Sequence, residues 1–250
     1  MQTMKRYYKD VSTGLAVVLR SGLFGDSLNN RKERMDHFGI EVTILPLSPL
    51  ETRETSSSPL ADAQEKACAK DCKWRQKKLG GNGGCYVNTM TLYYTQRHLF
   101  KENKEVPFIP QLSTLRATVW GDLSRLSKEC LDEIFFLFSS KNILAYSNDI
   151  ETLVLKDERY KHKVQASISS LEEYRRLSKL GFKGFYFGSK KLEKEVKKEL
   201  LKEGFQHCLV LGDGKDLNSC SSCLLCDGTN KIISPQKDKI ERIRRLKGIV

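Results

Sequence analysis

The sequence predicts an α/β protein built on a partial parallel β/α barrel or an open parallel sheet, with a short β-rich N-terminal lead-in and two cysteine-bearing loops. Strand-like and helix-like segments alternate over most of the chain, which implies right-handed crossovers and a parallel sheet. The 250 residues suit one large domain or two small ones, and their content of 39% hydrophobic and 30% charged residues is typical of a globular protein. Seven of the eight cysteines fall into two close-spaced sets.

The first part of the chain has the composition of a small β structure. Two stretches, 14–19 and 39–45, are rich in the β-branched and apolar residues that strands favour. A Ser/Thr-rich loop over 52–59 forms the best internal boundary. We therefore predict that residues 1–60 form a β-rich segment packed on the main domain, and that residues 61–250 form a cysteine-rich α/β domain.

In the main domain, the periodicity of apolar residues changes repeatedly between strand and helix patterns. The predicted elements are a helix over 89–102, a strand over 115–120, a helix over 123–138, strands over 142–146 and 163–168, a helix capped by Ser169 or Ser170, a strand over 183–187, a helix over 190–202, a strand over 206–211 and a closing helix over 235–246. The five strands of this region are too few for a complete eight-stranded barrel, so a partial barrel or an open sheet fits better.

Polar residues at or near the predicted strand ends are the candidate contacts of a cofactor or substrate. In a parallel barrel and in an open parallel sheet, active and binding sites lie at the carboxyl ends of the strands. We therefore expect pocket contacts from Gly121, Asp122, Asn148 and Ser167. The sequence contains no phosphate-binding P-loop, no His-Glu-x-x-His motif and no Gly-x-Ser-x-Gly motif.

The two cysteine sets are spaced as metal ligands. The first set is Cys68, Cys72 and Cys85, and the second set is Cys208, Cys220, Cys223 and Cys226. Clustered thiolates need a positive partner, which favours an iron–sulfur cluster or zinc in each set. Three thiolates in the first set leave one iron of a [4Fe–4S] cluster open, whereas a structural zinc would need a fourth ligand such as His98.

Other interpretations of the cysteines remain open at this point. The second set has four thiols, which suits a cluster or a tetrahedral zinc, and Cys208 is either a ligand or a core residue. All seven could also be plain buried thiols. Cys130 differs from them because it lies at core spacing on the apolar face of a predicted helix, where a small hydrophobic residue is expected.

Charge and hydropathy restrict the partners and the compartment. The net charge is +12, from 43 basic and 31 acidic residues, which favours a nucleic acid or a nucleotide as partner. The alternative is a basic surface that only keeps the protein soluble. No apolar run approaches the length of a membrane span, and the start lacks a signal-peptide pattern. In the cytoplasm disulfides rarely persist, and clustered cysteines usually bind metals. We therefore expect a cytoplasmic protein without a membrane partner.

The order of the cysteine and Gly-Asp elements resembles the phage gene-product-88 family, a group of largely uncharacterised proteins of bacteriophages and mobile elements. The resemblance covers roughly residues 40–230. It is carried, in chain order, by Cys68-x3-Cys72, Gly84-Cys85-Tyr-Val-Asn88, Arg116 with Gly121-Asp122, and the run from Cys208 to Cys226-Asp-Gly228. That family is distantly similar to radical S-adenosylmethionine enzymes. Their usual Cys-x3-Cys-x2-Cys spacing differs from this chain, where twelve residues separate Cys72 from Cys85.

The resemblance implies a function and its cofactors. It implies a [4Fe–4S] cluster on the first cysteine set with S-adenosylmethionine at the open iron, an auxiliary cluster on the second set and a reductant protein as partner. Together with the charge, it predicts an enzyme that acts on a nucleotide or a nucleic-acid-related substrate. The rival hypothesis is a non-enzymatic, basic nucleic-acid-binding protein that is stabilised by structural zinc or iron–sulfur sites.

Overall fold

Nine strands of the chain form one mostly parallel sheet, and helices pack against it. The computed structural model describes residues 2–5, 7–20, 40–47, 59–72, 75, 80, 105–108, 114–139, 142–188, 193–208 and 223–235. The strands are β1 (Gln2–Lys5), β2 (Tyr7–Asp10), β3 (Leu15–Arg20), β4 (Ile40–Pro46), β5 (Glu105–Phe108), β6 (Leu115–Trp120), β7 (Ile143–Ser147), β8 (Gln165–Ile168), β9 (Gly184–Gly188), β10 (Gln206–His207) and β11 (Ile232–Pro235). The helices are α1 (Pro59–Ala67), α2 (Lys128–Phe136), α3 (Ile150–Lys156), α4 (Leu171–Lys179) and α5 (Glu193–Lys202), with 3-10 helices at Leu123–Arg125 and Glu158–His162.

The strand order in the large sheet is β10-β11-β9-β8-β7-β6-β4-β3-β2. Every pair from β4 to β10 is parallel, and β3 and β2 are added antiparallel beyond β4. The N-terminal strands therefore extend the same sheet as the main domain. Strands β1 and β5 form a separate antiparallel pair. The expected mixed α/β class with a largely parallel sheet is confirmed.

The winding of the sheet runs in one direction over most of its length. Along the order β4, β6, β7, β8 and β9, each new parallel strand is added on the same side of the one before it. Right-handed crossovers that always step in the same direction place their helices on a single face of the sheet. The order reverses once, where β11 inserts between β9 and β10.

Several predicted elements differ from the observed ones. The helix expected over 123–138 is divided into a 3-10 turn and α2, because Ser127 is extended and caps α2 by accepting a hydrogen bond from the Cys130 backbone at 3.1 Å. The buried Asp10 carboxylate also accepts a bond from the Ser127 backbone at 2.6 Å. Pro235 ends the unpredicted strand β11 instead of beginning a helix. The helix expected over 89–102, and the closing helix beyond Pro235, lie outside the described residues.

The register of the strands defines two faces of the sheet. One face carries apolar residues of β6 to β9 that join the buried residues of the helices in one hydrophobic core, and we call it the helix face. Its residues include Leu115, Ala117, Ile143, Ala145, Ala166, Ile168, Gly184 and Tyr186. The opposite side is called the polar face, and its residues include Glu41, Thr43, Arg116, Trp120, Tyr146, Gln165, Ser167 and Phe185.

Candidate functional site at the carboxyl edge of the sheet

The Asp122 carboxylate organises the carboxyl ends of β6 and β7. It is 1% exposed and accepts hydrogen bonds from the backbone of Ser124 at 3.0 Å, the hydroxyl of Ser147 at 2.6 Å and the backbone of Asn148 at 2.7 Å. The structure therefore brings together Asp122 and Asn148, two of the predicted pocket contacts. Both oxygens of Asp122 are engaged by the protein itself, which gives this side chain a positioning role.

Gly121 allows the end of α1 to approach this edge closely. Its φ is +88°, and a Cβ at this position would lie 2.6 Å from the Cβ of Ile44 and 3.2 Å from the Ala67 carbonyl oxygen. The next backbone amide, that of Asp122, donates to the same carbonyl of Ala67 at 2.7 Å. A glycine is needed here both for its backbone conformation and for the absence of a side chain.

The first cysteine set begins at this docking point. Cys68 follows Ala67 directly, is 8% exposed, and its backbone amide donates to the Gln64 carbonyl at 3.0 Å. Cys72 is half-buried in the turn that follows, with its amide donating to Ala69 at 3.2 Å. Cys85, the third expected ligand, lies outside the described residues. Cys68 is thus held at the carboxyl edge, where the sequence predicts the functional site.

Cys208, the first member of the second cysteine set, lies at the β10 edge of the sheet. Cys208 follows β10, is 8% exposed and donates from its backbone to Ile233 at 2.9 Å. Strand β10 is five strand positions from β6, a separation of about 24 Å along a flat sheet. Cys68 and Cys208 therefore lie at separate places in the fold.

Within the second set, Cys223 and Cys226 come before β11 in the chain, so they do not follow its carboxyl end. The turn that contains Cys226 packs near the start of β8, since a Cβ on Gly228 would lie 2.7 Å from the His162 carbonyl oxygen. Among the described residues, no three His, Cys, Asp or Glu side chains form a group that could hold a metal ion. Cys220 lies outside that part of the chain, so the expected four-thiolate set is not complete within it.

Ser167, the fourth predicted contact, lies on the polar face. Its strand partner in the register is Phe185, whose ring is 4.2 Å from the ring of Tyr146 at an angle of 43°. All three side chains are half-buried. The polar face therefore presents an aromatic pair next to a hydroxyl group, a combination suited to a planar ligand with polar edges.

Two buried polar atoms of the polar face have no hydrogen-bond partner among the described residues. They are Nε1 of Trp120, in a residue that is 3% exposed, and Oε1 of Gln165, in a residue that is fully buried. The amide nitrogen of Gln165 donates to the Asn230 carbonyl at 2.6 Å, which leaves its oxygen as an acceptor. An unsatisfied buried polar group costs about 1–3 kcal/mol, so this donor and this acceptor favour a polar ligand or water on this face.

An ion pair and an arginine complete the candidate site. Arg116 was named only as part of the family resemblance, and neither Glu41 nor Arg75 was predicted as a site residue. Arg116 donates to Glu41 at 3.2 Å across β6 and β4, on the polar face. Arg75 is 5% exposed and lies beside the Cys68–Cys72 turn. The ion pair could have been found from strand periodicity, since polar residues alternate with apolar ones in 41–43 and 115–117.

Comparison of the chain with protein-family models, with curated proteins and with solved structures gave no match. The resemblance to the phage family therefore stays a prediction. No helix in the described part of the chain is long and apolar enough to span a lipid bilayer.

Proposed function

We propose that this chain is an iron–sulfur protein of the radical S-adenosylmethionine type, acting on a nucleotide or a nucleic-acid-related substrate. One observation carries the proposal. The hydrogen bond from the Asp122 backbone to Ala67 holds Cys68, the first cysteine of the set, against the carboxyl edge of the parallel sheet. Cofactors of parallel α/β proteins bind at this edge.

The residues present suit a cluster in their chemistry. Cys68, Cys72 and Cys85 are the proposed ligands, since thiolates are the ligands that iron–sulfur clusters take. A bound [4Fe–4S] cluster with one open iron would supply the electron that cleaves S-adenosylmethionine, which requires a reductant protein. The chain itself positions the ligand segment through Gly121 and Asp122, which fix the end of α1.

The winding of the sheet supports a partial barrel as the scaffold. When successive strands are always added on the same side, the crossover helices all lie on one face of the sheet. In a closed β/α barrel these helices form the outer ring, and the other face of the sheet lines the interior. In this proposal the polar face is the inner face and binds the substrate. The rings of Tyr146 and Phe185 would stack on a nucleobase, while Trp120 and Gln165 would bond to its edge.

The second cysteine set is proposed to hold an auxiliary centre. Its four thiols are Cys208, Cys220, Cys223 and Cys226, and zinc is the alternative metal there. This part of the proposal rests on spacing alone, since the described residues do not assemble the set. The reliance on reduced thiols in both sets supports a cytoplasmic location.

The proposal is tested on protein purified and reconstituted without oxygen. We expect the absorption and paramagnetic resonance spectra of a [4Fe–4S] cluster, and release of 5′-deoxyadenosine from S-adenosylmethionine with a reductant. Cys68→Ala should abolish the nucleoside product, whereas Cys130→Ala, a change at a core cysteine, should keep it. A colourless protein that contains only zinc and releases no 5′-deoxyadenosine would reject the proposal.

The net charge of +12 favours a second candidate, a non-enzymatic nucleic-acid-binding protein. The described helices give it limited support, because several exposed cations are paired with carboxylates: Arg175 with Glu203, Arg176 with Glu151 and Lys202 with Glu199. Salt-dependent binding of duplex DNA that persists in Cys68→Ala protein would favour this candidate over the enzyme.

A further inference from the structure

Arg75 is a buried cation without a carboxylate partner in the described part of the chain. The residue is 5% exposed, and its Nη1 donates to the Lys70 carbonyl at 2.8 Å. Its backbone amide donates to the Cys72 carbonyl at 3.1 Å. Arg75 is therefore part of the turn that follows Cys68 and Cys72. Its Nε is buried and has no hydrogen-bond partner among the described residues.

Other arginines of the described chain show how unusual this arrangement is. Arg116 and Arg159 are paired with carboxylates, at 3.2 Å and 2.5 Å. Arg125 lies close by, and its Nε and Nη2 donate to the carbonyls of Lys66 and Glu65 at 2.9 Å and 3.4 Å. In Arg125, the Nε–Nη2 edge of the guanidinium therefore donates to two backbone carbonyls. In Arg75, the same edge makes no hydrogen bond to a described residue.

Burying a guanidinium without an anion is unfavourable, because the charge loses its hydration and gains no counter-charge. The two N–H groups on the Nε–Nη2 edge form a planar fork that matches two oxygens of a carboxylate or a phosphate. A ligand oxyanion would supply both the missing charge and the missing acceptor. Metal-bound water or a neutral ligand would supply only one of them.

We propose that Arg75 is the receptor for a ligand oxyanion, a carboxylate or a phosphate, at the Cys68–Cys72 turn. The turn lies at the surface, with Lys70 and Asp71 exposed and Cys72 half-buried, and the guanidinium of Arg75 is bonded to the carbonyl of the exposed Lys70. Among the described residues of the turn, Lys70 and Asp71 offset each other in charge, so Arg75 supplies the net positive charge there. The inference goes beyond the proposed function and does not require a metal.

The test measures binding of inorganic phosphate and of acetate to the protein as purified, by calorimetry and by thermal unfolding at ionic strength matched with sodium chloride. We expect at least one oxyanion to raise the melting temperature of the wild type with a saturable dependence on concentration. Arg75→Met should weaken that binding about tenfold or more, the loss expected for a hydrogen-bonded charge pair. Arg75→Lys should give an intermediate affinity because it keeps the charge and loses the fork.

Arg125→Met is the matched control, since its guanidinium edge is already filled, and it should bind the oxyanion as the wild type does. A response to phosphate alone would identify a phosphate ligand, and a response to acetate alone a carboxylate. The proposal is overturned if neither oxyanion binds, or if Arg75→Met and Arg75→Lys bind as tightly as the wild type. Iron content is measured on the same samples, so a failure of the iron–sulfur proposal is recorded separately from a failure of this one.

Discussion

Replacing Asp122 by alanine should be one of the most damaging single changes at the carboxyl edge. The carboxylate is 1% exposed and accepts bonds from the Ser124 backbone, the Ser147 hydroxyl and the Asn148 backbone, at 3.0, 2.6 and 2.7 Å. Alanine would leave all three donors without their acceptor, two of them buried and the Asn148 amide partly buried. Each such donor costs about 1–3 kcal/mol, so the expected loss for the three is about 3–9 kcal/mol.

This loss is a large share of the total stability of about 5–15 kcal/mol that a globular protein has. Urea unfolding followed by circular dichroism measures it, and Asp122→Asn, which keeps one acceptor oxygen, should lose less. Asp149→Ala is the control, since Asp149 accepts one exposed capping bond from Thr152 at 3.2 Å and should lose only about 1 kcal/mol. An Asp122→Ala protein that loses no more than the Asp149→Ala protein would refute the positioning role of this carboxylate.

Three further predictions concern Gly121, Asp10 and Cys130. Gly121→Ala should lower the free energy of unfolding by about 2–4 kcal/mol, because of the backbone conformation at this position and the clash of the new Cβ with Ile44. Gly14→Ala, at φ +68° in open space, should lower it by only about 1–2 kcal/mol in the same urea assay. Burial raises the pKa of Asp10, but its hydrogen bonds outweigh burial and lower it overall. Asp10 therefore stabilises the fold above its unfolded pKa of about 3.9, so the gap in stability between wild type and Asp10→Asn should shrink below about pH 4; a constant gap would contradict this. Burial, with nearby carboxylates, raises the pKa of the Cys130 thiol to about 12, so mass spectrometry should show no iodoacetamide adduct there at pH 8 until the protein is unfolded in urea.

The strands of the parallel sheet were largely predictable from the sequence. The segments that became β3, β4, β6 and β7 are rich in apolar and β-branched residues, and their predicted bounds agree with the observed ones to within about two residues. β11 was not predicted, because Ile232 and Ile233 are its only strongly apolar residues and a proline ends it. Its place in the sheet depends on its neighbours β9 and β10 and not on its own composition.

The break before α2 illustrates why other local details were not predictable. The apolar spacing over 123–138 is helical throughout, but the extended backbone of Ser127 is tied to Asp10, which lies 117 positions earlier in the chain. A contact of that sequence separation leaves no periodic signal.

The candidate site was predictable in its position and only partly in its chemistry. Strand-end reasoning located Gly121, Asp122 and Asn148 together, since parallel strands present their carboxyl ends at one edge. It did not show that Asp122 would be fully engaged by its neighbours. The polar face was visible in the sequence, because polar residues alternate with apolar ones at 165–168, where a strand buried on both faces would be apolar throughout.

The iron and sulfide content of protein prepared without oxygen tests the central claim most directly. The account predicts about four iron atoms per chain for the first cysteine set, and about eight if the second set also holds a [4Fe–4S] cluster. Cys68→Ala should lower the iron content, and Cys130→Ala should leave it unchanged. Stoichiometric zinc without iron, or a wild type and Cys68→Ala protein with equal iron, would contradict the account.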